Sequence, residues 1–167
     1  MKSGIISRHD EVNKIISHAF SSVGFANILQ PLGISRDDGK RPDCMTRIPW
    51  SHGKSLLWDM TIRDTLAPSY IYESSKKARS IADIAERFKH NHYIPLKENY
   101  LLTPTAFETL GCWARNEEIY REIRIINESN TRGITLTDFF FLQKISIAVQ
   151  KGYAAYILAT LRKSRVD

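Results

Sequence analysis

Cysteine is nearly absent: Cys44 and Cys112 are the only two in 167 residues, too few for a disulfide framework or a four-ligand zinc site, and neither is spaced as a metal ligand from another Cys or His. A reducing compartment is the expected setting. No apolar run is long enough to cross a bilayer. The opening Met1-Lys2-Ser3-Gly4-Ile5 lacks the apolar region and cleavage site of a signal peptide, so an intracellular, non-secreted protein with no membrane partner is expected. Glycine and proline are sparse, at 8 and 6, which excludes fibrous and low-complexity classes. There is no Gly-rich phosphate loop and no strained Ser elbow, so nucleotide hydrolysis and serine-based covalent catalysis fall away. Internal repeats and linkers are also missing, and residues 1–167 read as one domain.

What is present is a globular composition, 43% apolar and 25% charged, with 24 basic against 18 acidic side chains for a net +6. The basic residues gather at Lys40-Arg41, at Lys76-Lys77 with Arg79, and at Arg162-Lys163 with Arg165. Such patches suit a polyanion, because neutralising phosphates releases counterions. A merely solvated basic surface has the same composition.

Val12, Ile15, Ile16, Ala19, Phe20 and Val23 recur at helical spacing and predict an amphipathic helix over Arg8–Val23, stopped by Gly24. Strands are expected at Asn27–Leu32, Asp43–Ile48, Ser55–Ile62 and Asn99–Phe107; the third is apolar on both faces and therefore central. Pro49–Gly53 reads as a hairpin loop. A second helix is expected over Glu73–Tyr93, with Ala78, Ile81, Ala82, Ala85 and Phe88 buried. Two more follow: one around Glu117–Asn127, and a long one from Thr137 to about Lys163, capped by Thr135 with Asp138 and interrupted at Gly152. The order α-β-β-β-α-β-α-α gives a mixed α/β sandwich.

With the hairpin centred on Ser51, opposed residues have numbers summing to 102, so Ile48 faces Lys54, Met45 faces Leu57 and Asp43 faces Asp59. Adjacent strands lie roughly 4.7–4.9 Å apart and opposed side chains share a face, so the two acids would be neighbours. At about 4 Å they repel by roughly 4 kcal/mol at an effective dielectric near 20, and a divalent cation is the natural compensator. A one-residue slip would instead send them to opposite faces. Lys89 lies four residues after Ala85, on the apolar stripe of its helix, with Tyr93 one turn further on. It either looks toward an acidic site or snorkels to water.

Arg41-Pro42-Asp43, then Leu57-Trp58-Asp59-Met60-Thr61-Ile62, then Lys89 and Tyr93 together resemble the PD-(D/E)xK restriction-enzyme-like endonuclease domain attached to reverse transcriptases of site-specific non-LTR retrotransposons. Arg8-His9-Asp10-Glu11-Val12 and Phe107-Glu108-Thr109-Leu110-Gly111 also look like segments of such proteins, and the similarity spans roughly Arg8 to Thr160. The resemblance implies a restriction-endonuclease-like mixed central sheet flanked by helices. It implies a nuclear or other intracellular enzyme that nicks DNA with Mg²⁺ or Mn²⁺ held by Asp43 and Asp59. Lys89 would be the catalytic lysine displaced onto the helix, and Tyr93 its aromatic partner. A reverse transcriptase, in the same or another polypeptide, and a second copy in a homodimer are the protein partners it allows. Thr61 stands where the wider superfamily keeps its lysine, and Gln30-Pro31 where relatives often carry an acid before proline.

Arg8, Lys40, Arg41, Lys76 and Lys77 are the candidate phosphate-gripping residues. His9 and Glu11, near the start of the first helix, are candidates to approach the metal or a phosphate, with Glu11 as a third metal ligand. His90-Asn91-His92 spells another nuclease motif, but residues two apart on a helix diverge by about 200° and make a poor metal pair. Three functions therefore stand: a metal-dependent endonuclease, a nuclease fold that has lost catalysis and serves in DNA binding or assembly, and a junction-resolving enzyme of the Holliday-junction type.

Overall fold

The computed structural model describes residues 2–34, 41–111, 113–114 and 136–163. Along the chain these form α1 (Lys2–Ser22), β1 (Asn27–Leu29), β2 (Cys44–Thr46), β3 (Ser55–Arg63), α2 (Ile71–Lys76), α3 (Ser80–His92), a 3-10 turn (Ile94–Leu96), β4 (Tyr100–Glu108) and α4 (Leu136–Lys163). The helix expected around Glu117–Asn127 and the Thr135 cap lie outside the described residues. No described helix is long and apolar enough to cross a membrane.

One mixed sheet runs in the order β1-β2-β3-β4. The first three strands are antiparallel to their neighbours, whereas β3 and β4 are parallel and in register from Ser55 opposite Tyr100 to Arg63 opposite Glu108. Parallel neighbours need a crossover, supplied here by α2 and α3. Strand side chains alternate between faces. Leu56, Trp58 and Met60 of β3 join Val12, Ile16 and Phe20 of α1 and Ile145 and Val149 of α4 in the larger core. Phe20 stacks on Trp58 with ring centroids 4.7 Å apart. On the other face Ala82 and Ala85 of α3 pack with Ala106 and Ala114, small residues that let this helix lie close to the sheet. The result is a mixed α/β sandwich with helices on both sides.

Three expectations need correction. The helix expected over Glu73–Tyr93 is two helices, because Lys77 is extended and Arg79 takes a left-handed conformation at φ 68°. No glycine or proline marks that break, so hydrophobic spacing could not reveal it. Ala78 falls in the break and is exposed, and Phe88 is 60% exposed rather than buried. Gly152 does not interrupt α4, which runs unbroken past it. A Cβ there would meet the Cβ, Cγ and Cδ of Arg8 at 2.6–2.8 Å, so glycine is the condition for α1 and α4 to cross this closely.

The third correction concerns the hairpin. Its tip is His52-Gly53, both at positive φ (50° and 73°), with Ser51 and Lys54 bridged across it. Two positive-φ residues between paired strands make the tight turn whose twist suits a hairpin. Paired residues at the tip therefore sum to 105, and Ile48, 46% exposed, does not face Lys54. Further along, Cys44 pairs with Trp58 and Met45 with Leu57, so the sum there is 102. The difference is three extra residues on the β2 side, bowed out between Thr46 and Ser51. Thr46 Oγ1 holds the ladder together there by accepting the Leu56 N–H at 2.9 Å.

Candidate active site

Asp59 lies in the middle of β3 and is 2% exposed. Asp43 stands one residue before β2, where continuation of the Cys44–Trp58 pairing sets it opposite Asp59. The two carboxyls are within hydrogen-bonding reach of each other. The sheet brings the acids to one spot, as the register of 102 requires. β2 begins only at Cys44, so the backbone of Met60 has an open edge facing this spot. Asp43 Oδ2 accepts the Met60 N–H at 2.7 Å.

The two acids titrate in opposite directions. Burial and the adjacent Asp43 charge push Asp59 up to about 6, against the opposing pull of Lys89 and Tyr93. Burial also pushes Asp43 upward, but the hydrogen bond and charge of His9, with the Met60 N–H, outweigh it and hold Asp43 below the usual carboxylate range. One acid is thus firmly anionic, and its neighbour is reluctant to ionise beside it, a division that two carboxyls in one site impose on each other.

Lys89 projects from α3 across the face of β3, and its Nζ lies 2.7 Å from Asp59 Oδ2. Its side chain keeps 24% exposure, so it is a half-buried cation with a carboxylate partner and an open side. Tyr93, only 1% exposed, closes α3 with its backbone N–H on the Lys89 carbonyl and hydrogen-bonds Asp59 through its side chain. Thr61, where the wider superfamily keeps lysine, is two residues from Asp59 on the same face of β3 and carries no charge.

α1 supplies a group that the sequence located only loosely. His9 Nε2 lies 3.1 Å from Asp43 Oδ2 and 3.1 Å from the Met60 carbonyl oxygen. Both are acceptors, so Nε2 carries the proton; in the neutral ring Nδ1 then accepts from Asn13 Nδ2 at 3.3 Å. Burial alone would lower the His9 pKa, but Asp43 and the Met60 carbonyl overcome it and raise it. The signal was available in the sequence. His9 extends the stripe of Val12, Ile16 and Phe20 by one turn, toward the sheet.

α3 is itself anchored by a buried acid. Glu108, at the end of β4 and 2% exposed, accepts the N–H groups of Ile81 and Ala82 at 3.0 and 3.2 Å. It satisfies two amides that the first turn of a helix leaves unpaired and places a negative charge at the favourable end of the dipole. The segment Phe107–Gly111 thus positions Lys89 from a distance. Sequence spacing does not reveal that role.

The structure does not bring the other expected residues together at this spot. Glu11 is exposed and lines a groove between α1 and α4 with Lys144 and Lys151, about 200° around α1 from His9. Arg8 was expected on a phosphate-binding surface; it is 6% exposed, its stem is pinned under Gly152, and Asp64 is its nearby charge. Burial lowers its pKa despite that acid. Arg41 is exposed and donates to Gln30 Oε1 at 3.2 Å. Lys76 lies over the Tyr72 ring and pairs with Glu73, and Lys77 is exposed beside it. Lys40 lies outside the described residues.

Among the described residues no group of three or more His, Cys, Asp or Glu could hold a metal ion by itself. Two carboxylates remain a fitting donor set for Mg²⁺ or Mn²⁺, which take oxygen ligands, keep several waters and rarely need a cage made wholly of protein. Burial and the neighbouring Asp43 charge, which together raise Asp59, both disfavour its ionised form, and such a cation would offset them. No protein-family model and no curated protein matches the chain.

Proposed function

We propose that this protein is a metal-dependent DNA endonuclease with a restriction-endonuclease-like fold of the PD-(D/E)xK kind, its lysine displaced onto the helix after the acidic strand. One observation carries the reading: Asp43 and Asp59 converge from adjacent strands, and Lys89 Nζ from the next helix lies 2.7 Å from Asp59 Oδ2. The described element order α-β-β-β-α-α-β-α, with a parallel pair joined by helices, is compatible with that fold.

In this reading Asp43 and Asp59 hold Mg²⁺ or Mn²⁺, and the cation supplies Lewis-acid polarisation of a phosphate oxygen and acidification of a water. The chain's own groups do the rest. Lys89 sits where an ammonium can orient a water or stabilise charge developing on phosphorus. Tyr93 holds Asp59 in place from the buried side. His9 and the Met60 N–H fix Asp43 as an anion in one orientation. The substrate is DNA, drawn by the net positive charge, and a mobile-element setting with a reverse transcriptase and a nuclear location follows from the resemblance alone. The test is nicking of supercoiled plasmid with Mn²⁺: wild type should convert it to open circle and Asp59→Ala should not. Equal cutting by both proteins overturns the proposal.

The second reading, a nuclease fold kept for binding or assembly, has one observation in its favour: with Gln30 at one expected place and Glu11 facing outward, the site has no third carboxylate among the described residues. It predicts DNA binding by wild type and Asp59→Ala alike, with nicking by neither. Preference for a four-way junction over linear duplex would point to a junction resolvase.

A further inference from the structure

Beyond Tyr93, the Lys89 helix carries two aromatic rings, His92 and Phe88, that the proposed chemistry does not use. Tyr93, hydrogen-bonded to Asp59, meets the His92 ring edge-on with centroids 5.2 Å apart. His92 in turn stacks on Phe88, centroids 5.8 Å apart and planes within 19°. The row begins at the buried acid and ends at a phenyl ring that is 60% exposed. Phe88 directly precedes Lys89 in the chain. Its neighbours on the helix surface are Ile84 and Ala85 one turn back and Asn91 and His92 one turn on, with Arg87 and Lys89 flanking it in the chain about 100° to either side. An exposed aromatic ring among positive and amide groups is the composition of a platform on which nucleobases stack while phosphates are held nearby.

Resting on the endonuclease reading, we infer that Phe88, backed by His92, stacks an unpaired nucleobase beside the reacting phosphate. The substrate class is therefore DNA with single-stranded character at the cut, such as a flap or fork, rather than continuous duplex. In continuous duplex the base faces are covered by their neighbours, so a flat ring next to the catalytic lysine has nothing to stack on. At a flap or fork they are open.

The experiment uses the full chain in chelator, where cutting cannot occur. A flapped duplex carries 2-aminopurine at its first unpaired nucleotide, and affinity and fluorescence are followed together. Wild type should quench the probe and prefer the flap to intact duplex. Phe88→Trp should keep both properties. Phe88→Ala should lose the quench and weaken flap binding by about five- to a hundredfold, with duplex affinity unchanged. Quenching and flap preference that survive in Phe88→Ala overturn the inference, as does equal wild-type affinity for flap and duplex. Because the readout is binding without metal, plasmid nicking with no stacking signal removes this inference and leaves the nuclease reading intact. A stacking signal without nicking does the reverse.

Discussion

Lys89 and Asp59 are thirty residues apart in sequence, on a helix and a strand, and their charged atoms lie 2.7 Å apart on the described face of the sheet. The pair is asymmetric: the acid is sealed at 2% exposure, whereas the amine keeps an open side. A group arriving from solvent meets the ammonium first.

Replacing Lys89 should show that this cation acts on the reaction as well as on its partner. Lys89→Ala should reduce the plasmid nicking rate by about 10²- to 10³-fold, the usual loss when one preorganised charge is removed. Lys89→Arg should restore only part of it, since a guanidinium fork differs in reach and geometry. Unchanged nicking in Lys89→Ala would remove the lysine from the mechanism.

Metal-free protein should lose stability between pH 5 and pH 8. Asp59 has a folded value of about 6 against an ordinary 3.8, so the folded state keeps a proton that the unfolded chain releases, and stability falls as pH rises toward about 6. His9 has a raised value; its contribution is complete below 6.5 and lost as pH climbs through the higher folded value. Asp43 is lowered and acts only in more acid solution, where its contribution disappears as it protonates. The melting temperature in chelator should therefore be lower at pH 8 than at pH 5.

Adding Mn²⁺ at pH 8 should reverse that loss. At a hundred times its dissociation constant a ligand of the native state adds about 2.7 kcal/mol, on the order of 5–10 °C for a chain of this size. Asp59→Asn should show little of this rise. The same rise in that variant would place the cation elsewhere.

Gly152→Ala is expected to destabilise the protein even though alanine is the better helix former by about 1 kcal/mol. The new methyl would collide with the near stem of Arg8, a part that cannot swing away, so a net loss of about 1–3 kcal/mol is expected in urea unfolding. An unchanged midpoint would mean that α1 and α4 can separate without cost.

Glu108→Ala removes the acceptor for the Ile81 and Ala82 amides and should cost about 1–3 kcal/mol. Because α3 carries Lys89, nicking should also fall. Glu108→Gln keeps an acceptor and should recover most of both; failure to do so would assign the role to charge.

The parts of the fold legible in the sequence were those that alternation and spacing encode. The doubly apolar β3 and the strand at β4 emerged with bounds close to those observed, and the stripe of α1 marked its helix, which begins six residues before the expected Arg8, at Lys2. The acids and the lysine were also legible, because a charge on a buried stripe or a central strand contradicts its surroundings. The break at Arg79 was hidden, since a non-glycine residue in a left-handed conformation leaves no compositional mark. Arg8 misled for a related reason: its charge suggested solvent, whereas its methylene stem is core material under Gly152. Glu108 acts through backbone amides, and no side-chain pattern could announce that.

The bowed stretch from Arg47 to Trp50 works as a spacer of fixed length. Counted from the His52-Gly53 tip alone, Asp43 would sit opposite Ile62, and the two acids would point to opposite layers of the molecule. Its three surplus residues are an odd number, and in a pleated strand odd offsets exchange the two faces. A one-residue change that the bow does not absorb shifts the β2–β3 pairing by one and rotates an acid out of the site, and Trp50, packed on Phe20 and Phe25, holds one end of the bow in place. Changes by two would leave the facing intact, so tolerance to loop length should alternate with parity.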